Sequence, residues 1–162
     1  MQENSDESEL LNDPVVNAVL SASRVLVAVA ARSLANVAEE VTLTQYRTLV
    51  VLASRGPQGL ANLANAVAVT PATATRMCDR LVRKGLVARR TERADRRQVR
   101  IALTASGRRL VDSVTARRRE EIAGIVHDIT DDERVVLVHA LERFARAAGE
   151  VPEQEWSTGW DL

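Results

Sequence analysis

Cysteine, lysine and aromatic side chains are all scarce in this chain. Of 162 residues only Cys78 is cysteine, which excludes an internal disulfide and a cysteine-based metal cluster. Aromatics amount to 2% (Tyr46, Phe144, Trp156 and Trp160), so the core is expected to be aliphatic, mostly Val, Leu and Ala. The two histidines, His127 and His139, have no cysteine nearby and form no metal-binding pattern. A Gly-rich phosphate loop and a credible Ser/His/Asp set are also missing, so neither catalysis nor a cofactor is expected. The longest unbroken apolar run is Val25 to Ala31, seven residues, against roughly 20 needed to span a bilayer. No transmembrane helix or membrane partner is therefore expected. The acidic N-terminal stretch has no apolar segment of the secretory kind, and the expected compartment is the cytoplasm.

What is present is enough for a core. Apolar residues make up 46%, which rules out a wholly disordered chain, and the length suits one domain or two very small ones. The net charge is zero, but it is unevenly spread. Residues 1–13 carry −5, residues 14–70 carry +2, residues 71–119 carry +11 and residues 120–162 carry −8. A 49-residue stretch at +11 within a neutral chain is the footprint of a polyanion partner. The blander reading is that the acidic ends fold back and neutralise the middle. Of the 22 basic residues all but Lys84 are arginine, which suits bidentate contacts to phosphate or guanine.

Residues 1–12 are polar and acidic and are expected to be disordered. Asp13-Pro14 reads as an N-cap and first helical position, opening a helix to about Ala38 that is apolar nearly all round. A helix of that kind needs burial on several faces, and a chain this small cannot provide it alone, which suggests a dimer. Thr44 is expected to cap a second helix that stops at Arg55-Gly56-Pro57. A short helix follows from Leu60 to Val67, then a tight turn at Ala68-Val69. Thr70 and Pro71 start the next helix, which ends at Gly85. Two strands are expected, Val87 to Thr91 and Gln98 to Leu103, the second with Val99, Ile101 and Leu103 facing inward. The polar residues 92–97 between them suit a solvated hairpin loop. Thr104 caps a long helix to about Val126, and Thr130 caps another to about Ala148. The tail from Gly149 onward shows no periodicity, and its two tryptophans are the odd feature.

This order of elements predicts a mainly α fold with a small β-wing, a winged helix-turn-helix between long N- and C-terminal helices. In such a fold the second helix of the pair enters the DNA major groove and the loop lies over the backbone or in the minor groove. The helix from Pro71 to Lys84 divides accordingly. Ala74, Met77, Cys78 and Leu81 form a buried stripe at helical spacing. Ala72, Thr73, Thr75, Arg76, Asp79, Arg80 and Arg83 occupy the other surface. Small residues near its start allow close approach to base edges, and Thr offers a hydroxyl and a methyl. Arg76 and Arg80, one turn apart, could reach guanine or phosphate. An ordinary solvated amphipathic helix would show the same division.

Three segments carry a resemblance: LTQYRTLVVLA at 43–53, VTPATATRMCDRLVRKGLVARR at 69–90 and ADRRQVRIALTASGRRLV at 94–111. A D-x-R at 95–97, set between two strands, behind a helix-turn-helix and before L-T-x-x-G at 103–107, is the most specific piece. The chain resembles the multiple-antibiotic-resistance regulator (MarR) family of bacterial transcription factors in organisation over about residues 14–148. The resemblance implies a homodimeric regulator of double-stranded DNA, with residues 41–104 as the winged module and about 14–40 and 105–148 as the dimerisation region. It maps recognition-helix contacts onto Thr70, Ala72, Thr73, Thr75, Arg76 and Arg80. It maps the wing-tip contact onto Arg97, with Asp95 orienting it through a charge-assisted hydrogen bond and Arg96 as a phosphate contact. A guanidinium there would read minor-groove width. The chain departs from the family at Ala68, where glycine is usual, and at Asn62 and Asn65, which make the short helix unusually polar.

The implied function is a repressor on a near-palindromic operator, nucleoid-associated and open to release by a small apolar or anionic effector. The sparse aromatics weaken the case for an aromatic one. The rival reading is a winged-helix protein-interaction module with weak or lost DNA binding, using the acidic ends and tail tryptophans.

Overall fold

A computed structural model describes residues 13–35, 41–91 and 99–156. In chain order the elements are α1 (Pro14–Ala35), α2 (Leu43–Arg55), α3 (Leu60–Ala66), α4 (Pro71–Arg83), β1 (Val87–Thr91), β2 (Val99–Leu103), α5 (Ala105–Ile125) and α6 (Asp131–Ala147), followed by a single 3₁₀ turn, Glu153–Glu155. The mainly helical fold with one antiparallel hairpin is the one expected from the sequence. The acidic segment 1–12 lies outside the described residues.

Capping chemistry explains most boundaries. The Asp13 carboxylate accepts from the Val15 backbone N–H at 2.7 Å. Thr70, Thr104 and Thr130 each accept from the backbone N–H three residues on, meeting donors that a helix start leaves unpaired. One expectation needs correction. Helix α2 is capped by Thr42, not Thr44, through a reciprocal box in which Thr42 Oγ1 accepts from Gln45 N–H and Gln45 Oε1 accepts from Thr42 N–H. Thr44 instead lies inside the helix, where its carbonyl accepts from the Thr48 hydroxyl.

Two chain reversals flank α4, and both use a left-handed residue. After α4, Gly85 (φ 69°) donates to Val82 O and Leu86 donates to Leu81 O, the paired bonds of a Schellman motif. Before it, Ala68 donates to Asn65 O and Val69 to Ala64 O in the same pattern. Ala68 has φ 52° and is the sole non-glycine with positive φ among the described residues. The glycine-to-alanine departure therefore sits in the backbone region where a Cβ is disfavoured.

The core lies within the winged module, where Leu49, Leu52, Leu63, Leu81, Ile101 and Val111 are fully buried. The hairpin pairs Val87 with Leu103 and Thr91 with Val99. Gln58 adds a bridge on the other side of β2, exchanging two backbone bonds with Ile101 at 3.0 and 2.8 Å. Val99 is exposed rather than inward-facing, and Ala102 is buried. Of the strand's expected inward set, Ile101 is the one fully buried. At the base of the hairpin the Thr104 hydroxyl donates to Gly85 O at 2.7 Å and its backbone N–H to Leu86 O at 3.1 Å. Gly107 sits so close beneath them that a Cβ there would lie 2.1 Å from Leu86 O. The L-T-x-x-G motif is thus a joint between α4, the hairpin and α5.

Helix α1 packs on α5 and α2 through its C-terminal part, burying Val29, Ser33 and Leu34. Its first half leaves Val15, Val16 and Leu20 exposed. By length and composition α1 would suffice to cross a membrane. The seven-residue run misses this because isolated polar residues interrupt an otherwise apolar helix. Packing on the body is confined to its last two turns, at Val29, Ser33 and Leu34, while Val25, Leu26 and Val27 remain exposed.

The tail from Gly149 to Trp156 packs back onto the body. Gly149 (φ 69°) turns the chain after α6. Arg47 then grips both carboxylate oxygens of Glu150 at 3.1 and 2.6 Å, and Arg55 donates to Gly149 O at 3.0 Å. Arg119 holds Glu153, and Trp156 packs against the core with its indole N–H on Val151 O. Trp160 lies outside the described residues.

Three outcomes are expected in denaturant or thermal unfolding. Ala68→Gly should stabilise by about 0.5–1 kcal/mol, the relief at a left-handed position less the added freedom of glycine. Gly107→Ala should destabilise by about 2 kcal/mol or more through overpacking against backbone. The third concerns pH. The Arg47 hydrogen bond, reinforced by the charges of Arg47, Arg55 and Arg118 against desolvation, holds the Glu150 carboxyl below its ordinary range. Its stabilisation is therefore complete above the unfolded carboxylate value of about 4.3 and is lost as pH falls through the lower folded value. For a half-exposed pair the loss should be on the order of 0.5 kcal/mol, absent in Glu150→Gln.

Candidate nucleic-acid interface

Helix α4 buries Ala74, Met77, Cys78 and Leu81, the stripe expected from spacing. The stripe docks α4 on α3 and β1, so the opposite surface turns outward as a rigid unit. Thr70, Ala72, Arg76 and Arg80 are exposed there, and Thr73 and Thr75 are half-buried. The Thr70 hydroxyl accepts from Thr73 N–H at 3.2 Å and bonds to the Thr73 hydroxyl at 3.0 Å, while Thr75 donates to Pro71 O. The threonines near the start of α4 are thus oriented by the helix's own backbone.

Charge on this surface is arranged unevenly. Among the described residues neither the Arg76 nor the Arg80 side chain is engaged in a hydrogen bond or an ion pair. Asp79, the one acid on α4, is paired with Arg89 of β1. The pairing neutralises a carboxylate that would repel a polyanion, and it ties α4 to the base of the hairpin. Among the described residues Arg76 and Arg80, one turn apart, thus remain uncompensated, as does Arg83 at the end of the helix.

A hollow of about 390 Å³ opens between the start of α2 and the outer side of α4, lined in part by Thr42, Thr44, Gln45, Thr73, Arg76 and Arg80. The sequence reading gave Thr42 and Thr44 no place at this surface. The T-x-x-Q spacing of the capping box marks where α2 starts, but no sequence signal places that start beside α4. Cys78 is fully buried beneath the same helix. Burial pushes its thiol up, Arg89 opposes this and Asp79 adds to it, so the sulfur is held as a neutral core atom rather than a reactive thiolate.

Asp95, Arg96 and Arg97, which follow β1 and precede β2 in the chain, lie outside the described residues. The structure therefore brings together the α4 residues of the sequence-derived site. Its wing residues remain placed by sequence alone.

The family model described as MarR family matches residues 41–99, from the cap of α2 to the start of β2. The HTH-type transcriptional repressor MdtR of Bacillus subtilis is 30% identical over 119 residues, covering 74% of this chain and 77% of that protein. The chain belongs to the MarR family. As such it is a DNA-binding transcription regulator rather than a member of an enzyme family. Among solved structures, RV1404 from Mycobacterium tuberculosis shares 45% identity with a TM-score of 0.80, over 86% of this chain and 95% of that one. Bordetella bronchiseptica BpsR, described as regulated in its DNA binding by 6-hydroxynicotinic acid, shares 26% identity with a TM-score of 0.61, over 82% and 94%. These matches span the long helices of this MarR-family chain as well as its winged module.

Proposed function

We propose that this MarR-family protein is a cytoplasmic repressor that binds a near-palindromic operator as a homodimer. The observation that carries the reading is the outer surface of α4, with Arg76 and Arg80 uncompensated on a fold shared with repressors. In this reading Thr70, Ala72, Thr73 and Thr75 approach base edges, and Arg76 and Arg80 reach guanine or phosphate. Thr42 and Thr44, at the start of α2, add backbone-phosphate contacts. Arg97 enters the minor groove, steered by Asp95, and Arg96 meets phosphate.

The dimer is supported by apolar surface on the long helices. Val15 of α1 is 67% exposed, and Val136 of α6 is 69% exposed. Val135, Val138, Leu141 and Phe144 extend the same exposure along α6, which has no buried residue of its own. The dimerisation region then comprises residues 14–40 and 105–148, and the winged module residues 41–104. A dimer would set two copies of α4 in successive major grooves, about 34 Å apart. The likeness to BpsR supports control by a small apolar or anionic effector, acting in the cleft between the dimer helices and the winged module. Such a molecule shifts DNA affinity only if it favours one separation of the recognition helices over another.

Titration against the DNA upstream of its own gene at two salt concentrations tests the reading. Arg97→Ala is expected to weaken specific binding by about 1–3 kcal/mol. Arg96→Ala should mainly flatten the salt dependence, by about one unit of slope. Wild-type protein that ignores DNA at both concentrations would overturn the repressor assignment in favour of a protein-interaction module.

A further inference from the structure

Helix α6 is held to its own chain almost solely at its two ends. Among the described residues it makes no extensive contact with any other helix or strand, and none of its residues is buried. At its start Arg134 donates to the carbonyls of Val126, His127 and Ile129, fixing the corner with α5. At its other end the chain reverses at Gly149 and is seized by α2 and α5. Glu150 is set where the guanidiniums of Arg47, Arg55 and Arg118 all act on it, and Arg47 grips it directly. Arg55 takes the Gly149 carbonyl, Arg119 takes Glu153, and Trp156 closes onto the core.

We propose that residues 149–156 are a positioning element for DNA recognition: a bracket that fixes the C-terminal end of α6 to α2 and so sets the separation of the two recognition helices in the dimer. The inference rests on the dimeric reading above and adds to it the residues that hold the geometry. The physical argument is one of leverage. A helix pinned only at the α5 corner can swing, and its far end moves most. Helix α2 belongs to the packed unit that carries α4, so fixing α6 to α2 fixes α6 to the recognition helix. If the apolar side of α6 is covered by the partner protomer, the angle between α6 and α2 sets how far apart the two copies of α4 stand. Glu150, Glu153 and Trp156 are positioning residues in this scheme, with no contact to DNA required of them.

The test uses the full chain and operators whose half-sites are moved apart or together by a single base pair. Wild type should prefer one spacing. Glu150→Ala with Glu153→Ala, and separately Trp156→Ala, should reduce that preference by about tenfold, within the usual range of coupling between sites, and leave affinity for an isolated half-site unchanged. Glu150→Asp, which keeps the negative charge among the three guanidiniums, should retain much of the preference. An unchanged spacing preference in the variants, or equal loss at the isolated half-site, would overturn the proposal. A readout without DNA keeps it separate from the repressor reading. Spin labels at Ala61→Cys and Ala147→Cys in a Cys78→Ala background, diluted with unlabelled chain, should give a narrow interspin distance in wild type that broadens in the Glu150/Glu153 variant. A distribution that is equally broad in both would also overturn the bracket.

Discussion

The fold turns on the contact between the start of α5 and the end of α4. The Thr104 hydroxyl reaches Gly85 O, its backbone N–H reaches Leu86 O, and Gly107 lets α5 approach where a Cβ would collide with Leu86 O. Four elements meet there: the end of α4, the residue leading into β1, the residue leaving β2 and the first turn of α5. Because protein interiors are close-packed and transmit strain, this joint makes the recognition helix and the long helix move as one piece. The remaining contacts, from the buried stripe of α4 to the Asp79–Arg89 pair, refine an orientation the joint has already imposed.

Much of the fold was legible in the sequence because local chemistry marked it. Threonine caps, the Thr70-Pro71 start and the Gly85 stop announce their roles within a few residues, and the stripe of α4 follows from spacing alone. Two expectations fail, for different reasons. Thr42 and Thr44 are both threonines before an apolar run, and Gln45, three residues after Thr42, makes Thr42 the cap. Val99 was placed inward by alternation, but alternation describes a strand covered along its whole length. Here β2 leaves the body towards the hairpin tip, so its first residue loses cover.

The functional surface was partly legible for a different reason. Charge density and spacing identified α4, yet sequence order conceals that the start of α2 lies beside it, across a hollow that also includes Arg76 and Arg80. The bracket was hidden altogether. Arg47 and Glu150 are 103 residues apart, and neither type nor spacing links them. The tail carries no periodicity because it makes no regular element beyond one turn, and its order comes from side chains that reach back to arginines on other helices. The acidic end of the chain does fold onto basic residues, as the blander charge reading allowed. It does so mainly at Arg47 and Arg55, which lie before the +11 segment, and at Arg119 on that segment's edge, and leaves Arg76 and Arg80 unmatched.

The bridge between Gln58 and Ile101 bears on how the protein behaves in a crowded cell. A two-stranded hairpin ordinarily exposes a row of unpaired amides and carbonyls on each side, an invitation to stray strands. Here the inner strand is flanked on both sides at Ile101, by Arg89 and by Gln58. The outer strand bears Arg90, whose charge would repel an identical neighbour, while Arg89 is paired with Asp79. The sheet that carries the wing is thereby guarded against edge-to-edge association, and can extend into solvent without recruiting other chains.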